Sequence, residues 1–309
     1  TLVSTNFLWT KGADDTDFGD DVGAPITSSG AFTTDAGATK LVLHGTVNAP
    51  VTAVVQSNFW SVILQSGGDL VQNDNITTQG GSISVGAATG SITMGAATRA
   101  SSVGGNIRYA AGTGLALAEL DAGAGDISLI ATAESITDQN GGNNLTAASV
   151  RFETGGTFGE AGNAIESDIF TLAGQAALGV FVLEASDLTV GAVSVATQYL
   201  SSDLNMATLS DSVRSGLVTT SNGPVVVELT DGSLTVDQAV EANGAGNIRL
   251  DATAADRDIF LNQSVTSGVG VISILADRHI TQAAAGDIAT TGATIDLLAT
   301  DGSITMSNG

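Results

Sequence analysis

A short phrase recurs along most of the chain, in which a glycine is followed by polar and aliphatic residues in alternation. The phrase reads GSITM at residues 90–94, GNIRY at 105–109, GDISL at 125–129, GSLTV at 232–236, GNIRL at 246–250 and GSITM at 302–306. Because side chains two apart in a strand leave the same face, the aliphatic residues form one face and the polar residues the other. One such strand cannot bury its apolar face alone, whereas stacked copies can. The repetition therefore predicts an all-β chain folded as a β-solenoid.

The spacing of the phrases predicts the length of one coil. Strong strands are centred near Ile107 and Ile127, and again near Ile248, Ile272 and Ile295. These intervals correspond to coils of roughly 20–24 residues, which lie in the range of known solenoid repeats. Aromatic residues make up only 4% of the chain, which favours a narrow interior filled by small aliphatic side chains. We expect these coils to stack into an elongated, stiff rod.

A longer similarity divides the chain into parts. The phrases that begin at positions 90 and 105 recur at 232 and 246, at nearly the same offset, which indicates a duplicated super-repeat. We predict an irregular β region, an N-terminal cap or divergent coils at 1–70, a first super-repeat at 71–200, a loop or insertion at 201–224, and a second super-repeat at 225–309. Residues 209–217 are the one stretch where we expect a turn or two of helix. We interpret the chain as a segment of a longer protein.

The chain is strongly acidic, with a formal net charge of −23 and only 9 Lys+Arg. Because phosphate backbones are bound by clustered cations, we expect no nucleic-acid partner. The sequence also has no run of roughly 20 apolar residues, the length that a membrane helix needs, so we expect no membrane insertion. An acidic excess favours solubility and attracts divalent cations. We therefore expect an extracellular or bacterial cell-surface location.

The densest acidic cluster lies near the start of the chain, in the stretch GADDTDFGDD at residues 12–21. Calcium takes six to eight oxygen ligands, and alternating carboxylates on a glycine-bearing loop supply several. The complete spacing of an EF-hand is absent, and so is the calcium-binding glycine-rich nonapeptide. The cluster is thus either a calcium site, the only cofactor that the sequence suggests, or a solvated acidic loop. The candidate ligands are Asp14, Asp15, Asp17, Asp20 and Asp21.

Other titratable residues do not form a recognisable catalytic motif. The pairs Glu119/Asp121 and Asp256/Asp258 could in principle act as acid and base, as the paired carboxylates of glycosidases do. We expect the members of each pair to point to opposite faces, and we interpret them as turn and surface acids. His44 and His279 have no ligand-spaced partner. We therefore predict a chain that is not an enzyme.

Three segments carry a family resemblance: GDISLIA at residues 125–131, GNIRLDA at 246–252 and LATDGSIT at 298–305. They resemble the repeats of large bacterial surface adhesins of the filamentous haemagglutinin type, and the resemblance covers roughly residues 70–309. It implies a right-handed parallel β-helix in an exported fibre or stalk that mediates adhesion or cell-cell contact. The secretion domain of that family is not evident in residues 1–70.

Together, the residues and the resemblance suggest a non-enzymatic extracellular segment with structural or adhesive function. Its expected partners are other copies of itself, neighbouring segments of a longer chain, and cell-surface glycans or proteins. Because an end coil offers unpaired backbone groups, self-assembly into a filament or sheath is included in this hypothesis. The alternative is a β-helical polysaccharide lyase or glycosidase, by analogy of fold alone. Such lyases place basic residues in a groove, whereas Arg108, Arg151 and Arg249 are isolated in the sequence.

Overall fold

The structure is a computed structural model. It describes residues 61–200 and 206–307, with the side chains of Leu200 and Met206 left out, and the backbone of five earlier strands between Phe7 and Val55. Within this part of the chain there is no helix. Parallel strands stack into a β-solenoid of about 10 turns, as the repeated phrase predicts.

The strands are short, as expected where turns recur every few residues. The first seventeen are β1 (Phe7–Thr10), β2 (Phe32–Thr33), β3 (Lys40–Gly45), β4 (Ala49–Val51), β5 (Val54–Val55), β6 (Ser61–Ser66), β7 (Leu70–Gln72), β8 (Ile76–Thr77), β9 (Ile83–Ala87), β10 (Ile92–Met94), β11 (Arg99–Ser101), β12 (Ile107–Ala111), β13 (Leu115–Leu117), β14 (Glu119–Asp121), β15 (Asp126–Ala131), β16 (Ile136–Asp138) and β17 (Leu145–Thr154). The others are β18 (Thr157–Phe158), β19 (Ile165–Ala176), β20 (Gly179–Glu184), β21 (Leu188–Val190), β22 (Ala192–Val193), β23 (Ala196–Leu200), β24 (Met206–Ser210), β25 (Arg214–Ser215), β26 (Leu217–Thr219), β27 (Val225–Leu229), β28 (Leu234–Val236), β29 (Val240–Ala242), β30 (Ile248–Ala252), β31 (Ile259–Leu261), β32 (Val265–Ser267), β33 (Ile272–Ala276), β34 (Ile280–Gln282), β35 (Ile288–Thr290), β36 (Ile295–Ala299) and β37 (Ile304–Met306).

The chain divides into two compact units. Unit 1 comprises Thr1–Ala148 and Ser194–Ser212, and unit 2 comprises Ser149–Val193 and Val213–Gly309. The domain boundaries drawn from the repeated phrases describe sequence similarity and stay a prediction.

Three stacks of parallel strands build unit 1. Its longer strands pair in the order β3, β6, β9, β12 and β15, and two stacks of shorter strands run beside them. Val62 pairs with Ile83, Ile83 with Ile107, and Ile107 with Ile127, so one coil of chain separates each of these residues from the next. This register confirms the predicted coil length of roughly 20–24 residues.

Unit 2 repeats the same plan. Its longer strands pair in the order β20, β27, β30, β33 and β36, again with two stacks of shorter strands. The register Val225, Ile248, Ile272 and Ile295 again advances by one coil at each step, within the same range of lengths. Val180 pairs with Val225 although much more than one coil of chain lies between them, because the intervening chain contains the segment assigned to unit 1.

Inward aliphatic rows form the core of each unit. Ile83, Ile107 and Ile127 are 0% exposed in unit 1, as are Val225 and Ile272 in unit 2. Burying one such side chain contributes roughly 1.5–3 kcal/mol. The residues between them point outward, as the alternation predicts. A polar pair also lies in the interior of unit 1, where the Tyr109 hydroxyl donates a hydrogen bond of 2.7 Å to Gln72 Oε1.

The recurring glycine is required by close packing of successive turns. A Cβ added to Gly125 would lie 2.5 Å from the carbonyl oxygen of Gly105 in the preceding coil, and one added to Gly105 would overlap the carbonyl of Gly81. Any larger residue would therefore separate the coils at this corner. The glycine that opens each phrase is thus a packing requirement, and Gly232 in addition has a positive φ of 83°.

At one corner of unit 2, side chains of each coil accept hydrogen bonds from backbone amides of the next coil. Asp187 Oδ1 accepts from the Ser233 amide at 2.7 Å, and Ser233 Oγ accepts from the Asp258 amide at 3.1 Å. Asp258 Oδ1 then accepts from the His279 amide at 3.0 Å, and His279 Nδ1 from the Ser303 amide at 3.1 Å. These bonds satisfy amides where the chain turns, which strengthens the contact between coils.

The last described coil is less buried than the coils before it. Ile272 is 0% exposed, whereas its partner Ile295 in the next coil is 40% exposed. Ile280 and Ile304 show the same change, from 1% to 42%. Within the described residues, strands β35 to β37 pair with the preceding coil only.

The predicted loop or insertion contains strands where the structure describes it. Strands β23 and β24 form an antiparallel hairpin, in which Ala196 pairs with Ser210 and Tyr199 with Ala207. Residues 201–205 lie outside the described part. The prediction of a helical turn at 209–217 is wrong, because this stretch contains the end of β24, all of β25 and the start of β26. Pairing of these strands with other strands overrides the weak local helix propensity.

Candidate functional site

The predicted calcium ligands Asp14, Asp15, Asp17, Asp20 and Asp21 lie outside the described residues. The side chain of His44 is also outside, although the backbone of its strand is described. In the part that the structure describes, no group of three or more His, Cys, Asp or Glu side chains is placed to hold a metal ion. The calcium site near the start of the chain stays a prediction.

The acid pair in strand β14 is held by one arginine. Glu119 and Asp121 both form ion pairs with Arg99, the first at 3.2 Å. The expectation that these two acids point to opposite faces is wrong, because residues two apart in a strand share a face. The two carboxylates thus neutralise the guanidinium charge of Arg99, which lies between them.

The second acid pair lies in the turn before strand β31. Asp256 has a positive φ of 63° and is exposed, and its amide donates to Asp277 Oδ2 at 2.8 Å. Asp258 is 6% exposed and receives two hydrogen bonds from Arg278, of 2.9 and 2.6 Å. The hydrogen bonds from Arg278 hold the pKa of Asp258 below its usual value. The interpretation as turn and surface acids agrees with exposed Asp256, whereas Asp258 is a buried acid paired with Arg278.

All seven arginines of the sequence lie in the described part, and each forms an ion pair with a carboxylate of this chain. Arg151 is 1% exposed in its side chain and shares Glu153 with Arg214, at 2.7 and 2.5 Å. Although partial burial alone would raise the pKa of Glu153, hydrogen bonds from these two arginines hold it below its usual value. The other pairs are Arg99–Glu119, Arg99–Asp121, Arg108–Asp211, Arg249–Glu228, Arg249–Asp251, Arg257–Asp231 and Arg278–Asp258.

One outward row of unit 2 differs from the rest of the surface. The middle residues of the short strands β21, β28, β31, β34 and β37 are in register and point away from the core. Four are threonines and one is Phe260, which is 37% exposed. Neighbouring strands are about 4.8 Å apart, so the row presents one side chain per coil at that spacing. We call this row the threonine face; it consists of Thr189, Thr235, Phe260, Thr281 and Thr305.

Polar groups flank Phe260 on both sides. The Asp258–Arg278 ion pair lies directly before its strand, and directly after it Asn262 Nδ2 donates to Asp237 Oδ1 at 2.7 Å. An aromatic ring surrounded by fixed carboxylate, amide and hydroxyl groups can stack on an apolar surface while its neighbours make hydrogen bonds. The threonine face thus combines hydroxyl groups with one partly exposed aromatic ring.

Sequence reasoning missed this face because its members are scattered along the chain from Thr189 to Thr305. The signal was present in the strands LTV, LTV, IFL, ITQ and ITM, whose central residues become neighbours once the register is known. Phe260 then stands out, because it replaces the threonine of the other strands.

Shallow grooves also occur on the described surface. One in unit 1, of about 440 Å³, is lined by Gly86 and Ala110 together with Gln65, Arg108 and Ile130. Two others, of about 360 and 350 Å³, are lined mainly by serine, threonine, asparagine and glycine. Small residues rather than a convergent set of acids and bases thus form these grooves.

No helix in the described part of the chain is long and apolar enough to cross a membrane. Searches with the sequence and the structure found no matching family model, no matching curated protein and no matching solved structure. What is established is therefore the architecture, a β-helical repeat protein.

Proposed function

We propose that the chain is a non-enzymatic structural segment of a bacterial surface adhesin of the filamentous haemagglutinin type. It would act outside the cell, where stacked coils display a contact surface at a distance from their attachment. The regular coils support this proposal, since each is held to the next by backbone pairing and inward aliphatic rows. The arginines also support the proposal, because carboxylates of the same chain neutralise their positive charge.

The threonine face is the observation that carries the adhesive part of the proposal. It offers hydroxyl groups at a fixed spacing and one exposed aromatic ring, Phe260. Aromatic residues are enriched among the side chains that dominate binding energy at interfaces. The proposed partners are cell-surface glycans or proteins, together with further copies or neighbouring segments of the chain. Calcium, bound by the cluster at Asp14 to Asp21, is the proposed cofactor.

Attachment of cells to a surface coated with the purified chain tests the proposal. We expect the wild-type chain to retain cells and Phe260→Ala to retain at least several-fold fewer. Leu178→Ala is the matched control, because Leu178 is also an exposed apolar residue of unit 2, at 53%, but lies outside the threonine face. Circular dichroism of each variant confirms the fold.

Absence of attachment by the wild-type chain would refute the adhesive function. Equal losses in Phe260→Ala and Leu178→Ala would refute the assignment of that function to the threonine face. In either case the β-solenoid itself would stand, because it does not depend on a ligand.

A further inference from the structure

The hairpin formed by β23 and β24 belongs to a different unit from the strands that flank it in the sequence. Strands β22 and β25, directly before and after it, pair with each other within unit 2. The intervening segment Ser194–Ser212 belongs instead to unit 1. Only residues 194–195 and 211–213 connect the hairpin to β22 and β25. The hairpin is therefore packed within unit 1, although the strands that flank it in the sequence pair within unit 2. We call the hairpin the arm.

A largely desolvated ion pair holds the arm on the strands of unit 1. Arg108 Nε lies 2.8 Å from Asp211 Oδ2, and the two side chains are 15% and 7% exposed. Ser128 Oγ donates to the same carboxylate oxygen at 2.6 Å. Since neither charge is free to solvent, separating them without a substitute partner would leave a buried charge unpaired.

Further contacts below the arm are also polar. Asn106 Nδ2 donates to the Ala196 carbonyl at 2.9 Å, and the Gln198 amide donates to Ser82 Oγ at 3.3 Å. Ser84, also on this sheet face, is 5% exposed. Serine and asparagine are side chains that a solvent-facing strand normally carries. Ile63, which is in register with Ser84 on the same face, is 0% exposed, so the docking surface combines polar contacts with a buried apolar side chain.

We propose that this hairpin is an exchangeable arm, which docks on unit 1 of a second copy of the chain through the same Arg108–Asp211 ion pair. Every contact made within one chain is available between two identical chains, which makes exchange of an element a low-cost route to a dimer. The connections at 194–195 and 211–213 are short, and short hinge segments are known sites of such exchange. The inference rests on the self-association part of the proposed function.

Variants with reversed charge distinguish exchange of the arm between two chains from docking of the arm within one chain. Arg108→Asp places two carboxylates at the docking site of its own arm, and Asp211→Arg places two guanidinium groups there. When the two variants are refolded together at high concentration, a reciprocal dimer restores an opposite-charge pair at both sites. We expect light scattering to give a two-fold increase over the 30.6 kDa of one chain. Each variant refolded alone is expected to stay at the mass of one chain.

The double variant Arg108→Asp/Asp211→Arg is the matched control, because its reversed pair is satisfied within one chain. We expect it to fold and to show the same mass as the wild-type chain at each concentration. A mixture that stays at the mass of one chain, while the double variant folds normally, would overturn the proposal.

A second experiment applies if the single variants do not fold alone. The natural chain has no cysteine, so Ser82→Cys and Gln198→Cys chains, refolded together and oxidised, report on the arm by a disulfide between chains. A covalent dimer supports exchange. A disulfide that forms only within the doubly substituted chain would refute it. Cell attachment through Phe260 is measured on single chains and is independent of both results.

Discussion

The two isoleucines Ile272 and Ile295 provide a direct test of the stacked core. They occupy the same inward row in successive coils, yet one is 0% and the other 40% exposed. Substitution by alanine removes the same atoms from each. Any difference between the two variants therefore reports on how completely the next coil covers the row.

The expected losses follow from burial. Three removed carbons at about 0.8 kcal/mol each give a transfer loss of about 2.4 kcal/mol for a fully buried side chain. A residual cavity brings the loss for Ile272→Ala to about 3–4 kcal/mol, within the usual range for such substitutions. For Ile295→Ala we expect about 1–1.5 kcal/mol, because part of the side chain is already in water and no enclosed cavity forms.

Urea unfolding followed by circular dichroism measures both variants against the wild type. A lower midpoint with an unchanged slope reports a loss of stability rather than a change in the denatured state. We expect Ile272→Ala to be less stable than Ile295→Ala by about 2 kcal/mol. Equal losses would show that the row is not stacked as described.

Three further predictions concern the corners and the acidic residues. Gly125→Ala should destabilise unit 1 by about 1–3 kcal/mol, because its Cβ would meet the Gly105 carbonyl, whereas Gly141→Ala, with open space around it, should change the urea midpoint little. Arg278 lowers the pKa of Asp258, so the stability from this pair is present above the pKa of an unfolded aspartate, about 3.9, and is lost as the pH falls through the lower folded value. Arg278→Gln should therefore lower the urea midpoint at neutral pH but not in acid where Asp258 is protonated; an equal loss at both pH values would contradict this. Calorimetric titration with calcium should show binding that is lost when Asp14, Asp15, Asp17, Asp20 and Asp21 are all changed to asparagine; unchanged heat would exclude this cluster as the site.

The fold class could be predicted from the sequence because its determinants are local. Alternation of aliphatic and polar residues assigns an inward and an outward face to each strand, and the recurring glycine marks the corner where coils approach most closely. The distance between successive phrases gives the coil length directly. None of these inferences requires knowledge of which strands are neighbours.

The contacts between distant residues could not be predicted in this way. Arg108 and Asp211 are 103 residues apart, and nothing in either segment indicates that the hairpin docks on unit 1. The helix expected at 209–217 failed for the same reason, since pairing with other strands decided its conformation. The surface roles of Glu119 and Asp121 likewise depend on Arg99, which a different strand supplies.

The sequence by itself thus determined that this protein is a β-solenoid, with a coil length set by the spacing of its repeated phrase and a thin aliphatic interior. The tertiary structure alone decided which outward residues form the threonine face, which carboxylate each arginine meets and where the inserted hairpin docks. The physical reason is that side-chain alternation is a property of one strand, whereas register and docking depend on the packing of strands that are far apart in the chain.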